Sequence, residues 1–106
     1  MAEPGLLTVR YYVAAGATAK ALETLDALAA SRADRIGAEA RMAKARLLES
    51  TGRTGDAVEE FLDLAYLYPD IEDLAAEALA QAARVARARG ERDRARQFED
   101  RLRKEY

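Results

Sequence analysis

Apolar side chains recur along this chain every three or four residues and are interrupted at regular points by glycine, a pattern that predicts six helices joined by short turns. First helices of three pairs fall at about 4–15, 37–51 and 72–89, and second helices at about 18–31, 54–67 and 91–105. The interruptions repeat. Gly16, Gly52 and Gly90 are each followed five positions on by an alanine, Ala21, Ala57 and Ala95, so one Gly-x4-Ala element returns after 36 and then 38 residues. Residues 2–16, 38–52 and 76–90 align without gaps, and Leu28, Leu64 and Leu102 each lie seven positions after the marker alanine, two turns along the same helix face. A period of this size belongs to arrays of helical hairpins. Each glycine marks where a helix ends and the chain reverses, because glycine enters the left-handed cap conformation without steric cost. Each alanine is small where two helices come closest, and a larger side chain would hold them apart. The units run over about 2–35, 38–73 and 76–106 within one domain.

Two segments need separate argument. Thr8 to Val13 is rich in strand formers and, taken alone, reads as a β-strand. A lone strand in a three-hairpin array would leave its backbone groups without partners, whereas a helix satisfies its own, so register assigns a helix here. Pro69 ends the second helix of the middle unit, since proline drives Tyr68 out of the helical region and Asp70 favours a local side-chain turn.

Composition agrees with this reading and narrows the chemistry. A chain of 106 residues, half of them apolar and about a third charged, suits one modest core. Alanine fills 25 positions against 11 for Val, Ile and Thr together, which favours an all-α fold. The absence of Cys and His removes disulfides, thiolate nucleophiles, imidazole bases and nearly every transition-metal site. The neighbouring carboxylates Glu59 and Glu60, and Asp70, Glu72 and Asp73, lie in charged segments expected to be solvated, which does not suit acid–base catalysis. The Asp70–Asp73 stretch lacks the glycine and ligand spacing of a calcium loop, and Gly52–Gly55 lacks the following Lys-Ser/Thr and preceding strand of a phosphate cradle. No catalytic residue, metal or cofactor is assigned, and enzymatic activity is not expected. No apolar run reaches the roughly 18 residues of a membrane span, and no charged-then-apolar leader opens the chain, so membrane insertion is not expected.

The opening Ala-Glu-Ala at 38–40 and 76–78, the turn glycine, the alanine five later, a leucine or aromatic stripe and the closing Tyr68-Pro69-Asp70 together resemble the tetratricopeptide repeat. The likeness covers almost the whole chain and is best in the middle unit, where Gly52, Ala57, Phe61, Leu64 and Pro69 fall on the family's pattern. Three residues depart from it and bear on packing between repeats: Ala33 replaces the closing proline of the first unit, Glu99 replaces an aromatic in the third, and Lys44 occupies a usually apolar position. The resemblance implies a right-handed α-α superhelix of three tandem hairpins that binds a protein or peptide in a concave groove without catalysis. The longer spacing and the Tyr-Pro-Asp close are similar to repeats of bacterial envelope proteins, which implies a soluble bacterial chain, periplasmic in preference to cytoplasmic. Tyr106 stands one residue before the family's closing proline, so the resemblance also implies a domain belonging to a longer chain.

A second alignment runs through the first helices. Arg10, Arg46 and Arg84 follow Glu3, Glu39 and Glu77 by seven residues, two turns that set each pair roughly 10 Å apart on one face. By resemblance that face lines the groove, and first helices spaced about 8–10 Å apart would make the three guanidinium groups a ladder. Such a ladder suits an acidic or mixed-charge peptide with a carboxylate at every third residue. Leu6 and Met42 are expected as apolar contacts, with Glu49 and Arg87 completing the groove. The alternative is that each arginine pairs with a glutamate on an adjacent helix, an interaction of ~0–1 kcal/mol, and only keeps the surface solvated.

Three hairpins stand near the minimum for a stable array, so its ends matter. In the last helix Ala95, Phe98, Leu102 and Tyr106 form an apolar stripe and almost everything else is charged, as in a solvent-facing cap. In the first helix, apolar residues spread over more of the circumference than one inner face requires. Leu7, Tyr11 and Tyr12 therefore either pack on an upstream segment or a second copy, making a homo-oligomer, or fold onto the second unit. Residues 55–80 carry eight acidic side chains and no basic one, whereas 84–106 carry nine basic against five acidic. That polarity either orients stacking between copies or with flanking repeats, which would make homo-oligomerisation or repeat packing the sole role with no external ligand, or is ordinary solvated surface. Nucleic-acid binding through the basic third is not expected, because Glu91, Asp93, Glu99 and Asp100 interleave with it and the net charge is −2.

Overall fold

Three reverse turns of one geometry set the architecture. The computed structural model describes residues 4–106, whose regular elements are α1 (Pro4–Ala14), α2 (Thr18–Ser31), α3 (Arg35–Ser50), α4 (Thr54–Leu67), α5 (Glu72–Ala88) and α6 (Arg92–Glu105). Gly16, Gly52 and Gly90 hold φ of 75°, 86° and 84°. The residue after each, Ala17, Arg53 and Glu91, takes φ of −87° to −89° with ψ of 61° to 66°. The amides of these three residues reach back to the carbonyls of Tyr12, Leu48 and Ala86 at 2.8–2.9 Å, closing a Schellman-type cap on each first helix.

The strand-prone segment 8–13 is helical, as the register requires. α3 begins at Arg35, two residues before the expected start, because Asp34 caps it: its side chain accepts the Ile36 amide at 3.1 Å. Each helix packs on the next in the chain, and α3 also touches α5, the first helix of the following hairpin. The result is an all-α superhelical arrangement of three tandem hairpins measuring 37 × 29 × 18 Å. Ala2 and Glu3, which open the first aligned block, lie outside the described residues.

Close approach depends on the small residues. Ala21, Ala57 and Ala95 are all fully buried. The main core joins α3 to α6 through Met42, Leu48, Phe61, Leu64, Leu79 and Val85, each large buried side chain contributing about 1.5–3 kcal/mol of apolar burial. A second cluster holds the first hairpin onto one face of α3, with Val9, Ala21, Leu25 and Ala40 at its centre and Ala43 and Leu47 against them. Tyr106 is 40% exposed and does not complete the apolar stripe of α6.

The polar exceptions have specific partners. Lys44, at a position usually apolar in the family it resembles, lies between neighbouring second helices, with its ammonium 2.6 Å from Asp26 on α2 and 3.5 Å from Glu60 on α4. Burial would depress its pKa, but the Asp26 hydrogen bond and the Glu60 charge outweigh burial and raise it. Glu60 is buried, contrary to the solvated position expected of it; it accepts from Arg41 at 3.2 Å while the adjacent Glu59 pairs with Arg94 on α6. At the junction of the first and second units, the Tyr68 hydroxyl donates to the Arg32 carbonyl at 3.2 Å. Gly37 lies beneath that contact: a Cβ there would fall 2.0 Å from the Arg32 carbonyl oxygen and 2.9 Å from the Tyr68 hydroxyl.

Candidate functional site

The first helices α1, α3 and α5 carry the residues singled out by the Glu-x6-Arg alignment, and their two junctions differ. Between α3 and α5 the face is strapped shut by ion pairs. Arg35 makes a two-pronged contact with Asp73 at 3.0 and 2.6 Å, Arg46 pairs with Glu77, and Arg84 donates to Glu49 at 2.7 Å. The Arg35 guanidinium holds the Asp73 carboxyl below the usual carboxylate range, and Arg84 does the same to Glu49; both arginines are raised in return. Arg84 is further oriented by Gln81, whose side-chain oxygen accepts from its Nε at 2.8 Å.

Between α1 and α3 no such strap forms among the described residues. In the repeat register Val13 occupies the place that Glu49 takes one unit later, so Arg46, the counterpart of Arg84, finds no acid on the preceding first helix and reaches forward to Glu77. An open cleft of about 400 Å³ results, lined by Val9, Val13, Leu25, Ala43 and Leu47, with Arg46 and Ser50 at its rim.

The expected groove residues thus divide. Arg46 and Arg84 share the face but each rests on a carboxylate of the neighbouring first helix, and Arg87 pairs with Glu99 of α6. Arg10 is exposed and makes no ion pair among the described residues, while Glu3, its partner in the alignment, lies outside them. Met42 is not a groove contact: it is 4% exposed, because Ala38, Met42, Ala45 and Leu48 form the stripe of α3 that turns into the main core. Leu6 is half-buried against the first-hairpin cluster. The apolar lining comes instead from Val13, Ala43 and Leu47, and the signal for it was the loss of the acid at position 13 relative to Glu49.

Of the three residues on which self-association was considered, Leu7 and Tyr11 are exposed, at 52% and 70%. Tyr12 turns inward to the first-hairpin cluster, with Lys20 5.9 Å from its ring and the Tyr11 ring edge-on at 5.9 Å. Tyr66 and Leu67 at the end of α4 are also exposed, which the pattern did not anticipate. Among the nine basic residues of 84–106, Arg84, Arg87, Arg89, Arg94, Arg101 and Arg103 make ion pairs within the chain. No group of His, Cys, Asp and Glu suited to a metal occurs among the described residues, and no helix there is long and apolar enough to cross a membrane. Comparison of the chain with protein-family models, with curated proteins and with solved structures gives no match.

Proposed function

We propose that the chain is a non-catalytic interaction module of tetratricopeptide-repeat type that holds a partly apolar, acidic protein segment across its first helices. The observation that carries this reading is the α1–α3 cleft, apolar within and edged by Arg46. An aliphatic side chain seated between Val13 and Leu47 would lose its water shell, worth about 1.5–3 kcal/mol, and a neighbouring carboxylate would meet a guanidinium already positioned. The strapped α3–α5 junction supports the same view from the other side, since there the protein fills the equivalent place with its own Glu49. An interaction role also accords with a surface whose basic side chains are largely engaged by internal acids rather than arrayed for phosphate.

The test is a cellulose-bound array of peptides pairing Leu, Ile or Phe with Asp or Glu, probed at low salt. Bound peptides are expected to be lost with Val13→Glu, which offers Arg46 a second acid, on α1, and places a charge in the apolar cleft, and to weaken at least threefold when Arg10, Arg46 and Arg84 are all changed to glutamine. Peptides captured equally by the parent chain and by Val13→Glu, or no capture at all, would remove the cleft from the function.

A further inference from the structure

The two joints between repeats are built from opposite materials. In the repeat register Asp26 of α2 aligns with Leu62 of α4, Arg41 and Lys44 of α3 with Leu79 and Ala82 of α5, and Glu60 of α4 with Phe98 of α6. At the later joint Leu79 and Ala82 are fully buried, and Leu62 and Phe98 pack against the same core. At the earlier joint all four places are charged. The Lys44 ammonium lies 2.6 Å from Asp26 and 3.5 Å from Glu60, and Arg41 donates to Glu60 at 3.2 Å. Two clefts open along the seam between α2 and α4, one of about 290 Å³ between Leu22 and Glu59 and one of about 400 Å³ between Ala29 and Leu67. We infer that this seam is an ion-closed hinge: when its charges are screened, α1 and α2 lean as a unit on α3, carrying with them the Val9, Val13 and Leu25 wall of the α1–α3 cleft.

The arrangement of partners makes the movement reversible. Of the contacts around Lys44, the one with Asp26 alone crosses from α2 to the second unit, and the Asp26 side chain is already 57% exposed. Glu60, the most buried of the four, keeps Arg41 and Lys44, both on its own hairpin, so leaning strands no buried charge, which is what makes breaking a buried pair costly. Burial works against the Lys44 charge, and the Asp26 hydrogen bond with the Glu60 charge outweighs it, so the closing ion is present at neutral pH. The apolar cluster of Leu25 with Ala40, Ala43 and Leu47 holds the hairpin to α3 and serves as the pivot. Parting α4 from α6 would instead return Leu62 and Phe98 to water, which keeps the later joint shut.

The test is amide hydrogen exchange of the intact chain at pH 7 in 10 mM and in 1 M NaCl, between which the screening length falls from about 30 Å to about 3 Å. The amides of 22–30 are expected to exchange at least threefold faster at the higher salt. In Lys44→Met, which leaves Glu60 paired with Arg41 and sets an apolar side chain where the later joint has one, that salt response should all but vanish. Asp26→Asn, at an exposed position that leaves the fold intact by circular dichroism, should exchange at low salt as fast as the parent does at high salt. Arg35→Gln, which removes an exposed pair between α3 and α5, should respond as the parent does. An α2 indifferent to salt in the parent, a response that survives both Lys44→Met and Asp26→Asn, or one that Arg35→Gln abolishes would overturn the inference. So would an equal acceleration of α5, which would mean opening of the whole array. No ligand enters the measurement, so its outcome is independent of the peptide array that tests the groove.

Discussion

Gly37 illustrates how a single missing carbon can hold two repeats together. It sits in α3 where the Arg32 carbonyl and the Tyr68 hydroxyl converge, and a methyl group there would lie 2.0 Å from a backbone oxygen that no side-chain rotation can move away. Gly37→Ala should lower stability by about 1–3 kcal/mol in urea denaturation, despite the better helix propensity of alanine. Gly5→Ala is the matched control: its added carbon would meet only the Leu28 side chain at 3.4 Å, ordinary contact distance, and stability should hold or rise. The turn glycines were legible in the sequence because their spacing repeats, and Ala21, Ala57 and Ala95 with them. Gly37 was not, because its need arises from a carbonyl five residues away and from a tyrosine at the far end of its own hairpin. Glu60 was hidden for a similar reason: its neighbour Glu59 is solvent-facing, and only the three-dimensional placement of Arg41 and Lys44 explains why one carboxylate of the two is buried.

Among elements, the junction of α3 with α5 has its own pH response. Glu49 and Asp73 are held below the ordinary carboxylate range by Arg84 and Arg35. Their pKa values are lower folded than unfolded, so the stability they add is present above the unfolded value of about 4 and is lost as pH falls through the folded one. Thermal midpoints should therefore be level from pH 7 to pH 5 and drop below about pH 4. Glu49→Gln should flatten part of that drop at a loss of no more than about 1 kcal/mol at neutral pH, since the pair is largely exposed. The six helices themselves were readable from periodicity, including α1, where the strand-forming run at 8–13 was overruled by the array. The straps were partly readable: Glu-x6-Arg allowed either a ladder of free arginines or pairing with glutamates of an adjacent helix, and Arg46 and Arg84 take the second course, but which carboxylate each one meets depends on the offset between neighbouring helices, which spacing along one helix does not reveal.

At the scale of the whole molecule, stability is divided. The main core ties α3 through α6 together and takes Leu22 of the first hairpin at its edge, while most of that hairpin's apolar contacts lie in a smaller cluster shared with α3. Tandem arrays of this kind gain stability from neighbour contacts, and among the described residues α1 packs chiefly on α2. Hydrogen exchange under native conditions should show the amides of 5–31 exchanging ahead of those of 57–86, through partial opening rather than global unfolding; uniform exchange across all six helices would mean the array melts as one body. The three joints at Gly16, Gly52 and Gly90 share one set of backbone angles to within about ten degrees. A chain so jointed is modular: a fourth unit copied from 38–73 could be spliced in using a bend already present, and the molecule would gain length without inventing a new corner.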